Sequence, residues 1–295
     1  LMVLMSGSLV YKVRTHRSGT IESSRNFYGV MRVVEETSDE GDDFRTLIHG
    51  QIIHGMEYLS GRWANRPITY YGEDSGVEAA FLLHPRALHT PRQPLRIGVV
   101  GLGVGTISSY AREGDMVRFY EINDHIIETA WSSFSYLKNC PAKVELVEGD
   151  GRISLQQELQ AGKPGKFDLL FLDAFSSDSI PVHLLTKEAF AIYLQHLRED
   201  GALLVHISNR HLDLSDPVRT LAKEFQRKAV LIQQPSTKVP NSKSRWIVLC
   251  SEGGMHDRLV AHTNFQAWER SEPRKILWTD NYSNLLEVIR WNQEP

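Results

Sequence analysis

Three glycines and an acid could together hold a nucleoside. Gly101, Gly103 and Gly105 follow the apolar run Ile97 to Val100, and Glu121 closes the next apolar run. Glycine lets a backbone turn tightly and come close to a ligand with no Cβ in the way. A carboxylate about 20 residues further on, ending the neighbouring strand, offers two oxygens to a ribose diol. The spacing is Gly-x-Gly-x-Gly rather than the Gly-x-Gly-x-x-Gly of dinucleotide sites. That turns the reading from NAD towards S-adenosylmethionine or a relative. A turn made glycine-rich by packing alone is the alternative.

More polar residues stand where apolar runs end. Gly149-Asp150-Gly151 follows the run 143–147, Asp173 follows Leu169 to Leu172, and His206 follows Leu203 to Val205. Asp150, at a strand–helix junction, reads either as a helix N-cap or as an acceptor for an adenine amino group. Asp173 closes a very apolar strand, a setting that suits it to take a proton from, or to orient, an attacking amine. Asp178 lies just before Ile180-Pro181, and two acids at a cleft mouth would attract a cationic substrate. His49, His54, His183 and His206 lack metal-ligand spacing and read first as packed or capping residues. His183 has the best claim to function because it follows the loop from Asp178 to Pro181.

These residues must be positioned by alternating strands and helices. Candidate strands cover 95–100, 116–121, 143–147, 167–173, 202–208, 229–233 and 245–250. Candidate helices fill 106–113, 123–136, 152–161, 186–198 and 215–228. Alternation of this kind implies a parallel sheet with helices on both faces and ligands at the carboxyl ends of its strands. The run Arg245 to Cys250 follows its predecessor by a Pro-containing loop without a helix, which predicts an antiparallel strand at or near the edge. Upstream, Phe27–Val34, Thr46–His49 and Ile52–Tyr58 read as a small antiparallel β unit, with Glu35 to Asp43 as a hairpin loop. Residues 12–25 read as a polar linker, 75–90 as one helix, and 264–291 as C-terminal helices and loops. The expected division is 1–25, 26–93 and 94–295, with Pro91 and Pro94 marking the second boundary.

Composition narrows the classes. The 295 residues are 41% hydrophobic and 23% charged, as in ordinary globular chains. A net charge of −3 argues against a nucleic-acid partner. Two cysteines, Cys140 and Cys250, suit a reducing compartment. Residues 1–11 are mostly apolar and are followed by Lys12, Arg14 and Arg17. Apolar-then-basic order fits the cytoplasmic flank of a membrane helix, so this stretch reads as the tail of one; an ordinary first helix is the alternative.

Together the glycine turn, Glu121, Gly149-Asp150-Gly151, Asp173 with Asp178, Pro181 and Leu184-Leu185-Thr186 resemble the spermidine synthase (polyamine aminopropyltransferase) family. Asn26 to Val30, Gly50, His54 and Tyr70-Tyr71-Gly72-Glu73 resemble its small N-terminal β domain. The resemblance covers about residues 26–250, and its details are similar to a bacterial branch in which such a domain follows a multi-span membrane region. It implies a Rossmann-like SAM-transferase fold, with a seven-stranded mostly parallel sheet, behind an N-terminal antiparallel β domain. It implies transfer of an aminopropyl group from decarboxylated S-adenosylmethionine to a di- or polyamine, no metal, and a homodimer.

Carried over by position, Asp173 is the base or amine-orienting acid and Tyr71 assists it. Gly101, Gly103, Gly105 and Gly151 shape the donor site, Glu121 holds the ribose and Asp150 the adenine. Asp178, His183, His54 and Glu73 face substrate. Three departures stand out: Val104 where the family carries an acid for the donor's ammonium, a wider Asp173–Asp178 spacing, and Gly72 in place of a glutamine. Glu73 could substitute for the missing acid. A SAM-dependent methyltransferase, mildly favoured by Val104, His183, His206 and His211, and a non-catalytic adenosyl-ligand sensor of a membrane protein remain open alternatives.

Overall fold

The computed structural model describes residues 19–50, 52–174, 181–234, 243–262, 264–268 and 272–290. Asp178 and the apolar stretch 1–11 lie outside the described residues. No helix among the described residues is long and apolar enough to cross a membrane.

Four strands form a first, antiparallel sheet in chain order: β1 (Thr20–Asn26), β2 (Gly29–Thr37), β3 (Asp43–His49) and β4 (Ile52–Tyr58). The expected linker therefore ends early. Its polar sequence, Thr-Ile-Glu-Ser-Ser-Arg-Asn, pairs antiparallel with β2 at the sheet edge, where only alternate side chains are partly covered. The expected helix 75–90 is broken into α1 (Gly76–Leu83) and α2 (Pro85–Leu88). Pro85 supplies no N–H and pushes His84 to extended backbone, φ −63°, ψ 135°.

The second sheet holds β5 (Arg96–Val100), β6 (Met116–Glu121), β7 (Lys143–Glu148), β8 (Phe167–Leu172), β9 (Leu197–His206), β10 (Lys228–Gln234), β11 (Ser244–Cys250) and β12 (Phe265–Gln266). Its order is β12-β10-β11-β9-β8-β5-β6-β7. β5 pairs in parallel with both β6 and β8, so the chain winds outward from β5 in two directions. A crevice opens at such a switch point, beyond the carboxyl ends of the strands. β11 is antiparallel as the sequence predicts, but it lies inside the sheet, between β9 and β10. The short β12 was not foreseen and makes the sheet eight-stranded.

Alternation splits the core between two faces. Val99, Phe171, Leu204 and Val248 pack on one side with α1 and the first sheet. Leu170, Leu203, Val205 and Ile247 pack on the other with α4 (Gly151–Gln160), α5 (Lys187–Gln195) and α6 (Ser215–Glu224). A sheet covered on both sides explains the unbroken apolar run of β8, buried from end to end. α3 (Asp124–Ser132) and α7 (Met255–Val260) complete the helices. Residues 106–113 do not form the expected helix. After Gly105 in left-handed geometry a single 3₁₀ turn runs from Thr106 to Tyr110, and Ala111 is already extended. The helix expected over 186–198 stops at Gln195 because Leu197 pairs with Phe167 and begins β9.

Candidate active site

The glycine turn is squeezed between two walls. Gly101, Gly103 and Gly105 have φ of +99°, +55° and +83°. A Cβ on Gly101 would lie 2.4 Å from the Asp173 carbonyl oxygen, and one on Gly103 would lie 2.6 Å from the His54 carbonyl oxygen. Both close approaches exclude any side chain, so β8 and β4 meet the turn directly. Val104 points elsewhere: it is buried against Gly55 of β4, where an added Cβ would come within 2.4 Å of its methyl group.

Glu121 closes β6 and is almost fully buried, 7% exposed. Its Oε2 accepts the Leu102 N–H and its Oε1 the Asn123 N–H, each at 2.9 Å. Burial raises its pKa above the ordinary glutamate value, and the backbone N–H groups oppose that rise. One carboxylate thus ties the glycine turn to the start of α3, and it lines the cavity.

Asp150 is the helix N-cap that its position allows, and it has a second partner. Its Oδ1 caps α4 by accepting the Ile153 N–H at 3.0 Å, and its Oδ2 lies 2.9 Å from His183 Nε2. Gly151 is held tight, since a Cβ there would meet Val100 at 2.6 Å. His183 is in turn fixed by Arg152, which donates to the His183 carbonyl at 2.8 Å and forks onto Asp280 at 2.8 and 2.5 Å. Thr186 Oγ1 also donates to Asp280, at 2.8 Å. Nothing in the local sequence pattern announced this clamp.

Asp173 lies beside the turn with its carboxylate held from both sides. Tyr71 donates its phenol proton to Oδ2 at 2.5 Å, and His206 Nδ1 lies 2.7 Å from Oδ1. Burial, reinforced by the Asp173 charge, pushes the Tyr71 phenol well above its ordinary range, so it stays a donor. His54 faces the same cavity from β4. Burial first, and His49 second, lower its pKa to about 4, against the pull of Asp173. Its Nε2 is buried with no hydrogen-bond partner among the described residues. His49 donates through Nε2 to the Tyr28 carbonyl at 2.7 Å.

A cavity of about 560 Å³ unites these groups: Glu121, Asp150, Asp173, Tyr71, His54 and His183 all line it, with Gly101, Gly103 and Gly151. Glu73 is not brought in. Its carboxylate is exposed and lies 3.8 Å from Arg66, outside the lining, because the chain turns at Gly72. His206, expected first as a packed or capping residue, is brought in; its signal was a polar residue ending an apolar strand at the crevice. Among the described residues no three His, Cys, Asp or Glu side chains converge as a metal cluster. The arrangement can take up an adenosyl-type ligand of mixed polarity and remove a proton near Asp173.

No protein-family model matches the chain. It is 30% identical over 210 residues to the polyamine aminopropyltransferase of Vibrio vulnificus (strain CMCP6), a match covering 68% of this chain and 66% of that relative. The chain therefore spans just under two thirds of that relative's length. The spermidine synthase of Thermotoga maritima superposes with a TM-score of 0.56 at 16% identity, over 86% of this chain and 81% of that one. A spermidine synthase solved with the transition-state analogue AdoDATO gives 0.57 at 16% identity, over 86% and 82%.

Proposed function

We propose, from the 30% identity to a polyamine aminopropyltransferase and the shared fold, that the chain belongs to the spermidine synthase (polyamine aminopropyltransferase) family and moves an aminopropyl group from decarboxylated S-adenosylmethionine to a di- or polyamine, releasing methylthioadenosine. The observation that carries the reading is Asp173. A hydrogen-bonded carboxylate stands at the strand switch point, beside the glycine turn that ends β5, with the acid Glu121 on the far side of that turn at the end of β6.

An acceptor amine reaches the site as an ammonium and must lose a proton before its lone pair can attack. Asp173 accepts that proton, and Tyr71, held as a phenol, fixes the carboxylate. The nitrogen then bonds to the carbon beside the sulfonium, the carbon–sulfur bond breaks, and sulfur keeps the electron pair as a neutral thioether. That leaving group needs no protonation. Glu121 holds the ribose hydroxyls with its carboxylate, and Asp150, braced by His183, receives the base. His54, neutral and with a buried unpartnered nitrogen, takes the place that an acid at position 104 would serve and meets the donor's amine. Glu73 drops out of this role. Asp178 keeps its proposed part in holding the distal ammonium of the acceptor. A homodimer, and a membrane anchor ahead of residue 12 on the cytoplasmic side, belong to the same reading; they rest on the family resemblance and on the apolar-then-basic order of residues 1–17.

The test is a product assay. Incubation with decarboxylated S-adenosylmethionine and putrescine or cadaverine should yield a triamine and methylthioadenosine, and Asp173→Asn should abolish both. Consumption of S-adenosylmethionine to S-adenosylhomocysteine instead would establish the methyltransferase alternative. Binding of adenosyl thioethers with no turnover of either donor would leave a sensor.

A further inference from the structure

His206 differs in kind from a packing histidine of the same protein. His196 is fully buried, and its ring nitrogens hydrogen-bond main chain, the Gly165 N–H at 2.8 Å and the Leu155 carbonyl at 2.9 Å, with the Glu158 carboxylate no nearer than 3.9 Å. His206 instead faces the cavity at the end of β9 and reaches the Asp173 carboxylate. Its ring is clamped between Tyr70, at 5.1 Å and 26°, and Trp246, at 4.5 Å and 9°. Its Nε2 lies 2.8 Å from Ser208 Oγ, which accepts the Arg245 N–H at 2.8 Å.

These contacts define a direction. An ionised carboxylate only accepts hydrogen bonds, so a neutral His206 carries its proton on Nδ1 and its Nε2 accepts from the Ser208 hydroxyl. The Arg245 N–H, the Ser208 O–H and the His206 Nδ1–H then all point one way, towards Asp173, and each bond polarises the next.

We propose that His206 is a positioning residue for aminopropyl transfer: its Nδ1–H fixes Asp173 with a lone pair turned to the acceptor amine. The inference rests on Asp173 being the group that receives the amine's proton. His206 itself gains and loses nothing in that step. A second proton, on Nε2, would place an imidazolium 2.7 Å from Asp173. That cation would weaken the carboxylate as a base and repel the incoming ammonium. Among the described residues, the titratable and charged groups facing the pair include Tyr70 and Tyr71 from the 3₁₀ turn after β4, His54 from β4, and Arg210 and Arg245. Burial keeps both tyrosines protonated and His54 neutral, so none of the three titrates between about pH 5.5 and 9.

The experiment measures kcat and KM against pH for the wild type, His206→Leu and His206→Asn, with the diamine the wild type uses. The asparagine amide can set an N–H about where Nδ1–H stands, but it does not titrate. Losing a hydrogen bond to a charged group should lower kcat of the leucine variant about 10- to 100-fold with a smaller change in KM. The asparagine variant should recover much of that loss. Methylthioadenosine binding checks that each variant retains its nucleoside site. A leucine variant with wild-type kcat, or an asparagine variant that recovers nothing over leucine while binding methylthioadenosine normally, would overturn the proposal. A separate arm uses nitrogen-15 NMR of labelled histidines in the resting protein. The Nδ1–H tautomer of His206 at neutral pH is expected, and the Nε2–H tautomer would overturn the inference. A wild type that transfers no aminopropyl group to any amine sinks the functional reading, while the tautomer still decides how His206 holds Asp173.

Discussion

Replacing Glu121 by glutamine changes one oxygen to an amino group and little else in shape. Both carboxylate oxygens are occupied, one by the Leu102 N–H and one by the Asn123 N–H. In Glu121→Gln one of these buried donors must face an NH₂ group, a loss of about 1–3 kcal/mol in stability. The same carboxylate is assigned to the ribose. Turning a charged acceptor into a neutral one should remove about 1.5–3 kcal/mol of ligand binding, roughly a 10- to 150-fold rise in Kd. Calorimetry with methylthioadenosine, and with the dideoxy analogue lacking both ribose hydroxyls, separates the two effects. The variant should weaken the natural nucleoside strongly and the dideoxy analogue little. Equal weakening of both would show that Glu121 only shapes the turn, and would refute its role as a ribose ligand. The pH dependence has opposite signs for folding and for binding. Burial raises the Glu121 pKa, so this group favours the folded state at low pH and that contribution is lost as pH rises through the folded-state value. Nucleoside affinity, which needs the ionised form, should fall as pH drops through the same value.

Other residues give further tests. Gly103→Ala places a side chain at φ +55° against the His54 carbonyl; it should cost about 1–2 kcal/mol from the backbone alone, more with the clash, and weaken nucleoside binding, whereas wild-type melting and affinity would refute the close approach of β4. His84 is fully buried and its pKa is lowered to about 4 from 6.5, chiefly by that burial. The unfolded chain binds its proton first, so stability should drop by about 3 kcal/mol as pH falls from 6.5 to 4. The melting temperature of His84→Gln should fall less steeply over that interval, and an unchanged slope would count against a neutral buried His84. Asp280→Asn weakens the fork with Arg152, a partly exposed pair worth about 1 kcal/mol; nucleoside Kd should rise about fivefold, and no rise would detach the clamp from the site.

The sequence is most readable where chemistry coincides with an element's end. Gly101, Glu121, Asp150 and Asp173 each stand at or just past the end of a strand, so the rule that ligands lie beyond strand ends brought all four to one crevice. Legibility fails where a contact joins distant positions. Arg152 and Asp280 are 128 residues apart, and neither position shows a pattern of its own. His206 lies at a strand end like the others, yet its role depends on the facing rings of Tyr70 and Trp246, which come from a turn and from β11. Glu73 misled in the opposite way. It neighbours Tyr71 in sequence, but Gly72 bends the chain and sends its carboxylate towards Arg66. β1 was hidden because an edge strand needs little apolar surface.

The Asp280 fork also sets an order of assembly on the ribosome. Every strand of the large sheet lies before residue 268, whereas the aspartate that braces Arg152, Thr186 and through them His183 comes after it. A nascent chain halted just past α7 holds the glycine bend, Glu121 and Asp173, yet still lacks the carboxylate that steadies the base-facing wall. The last support of the nucleoside crevice is therefore made late in synthesis, well after the strands that frame it.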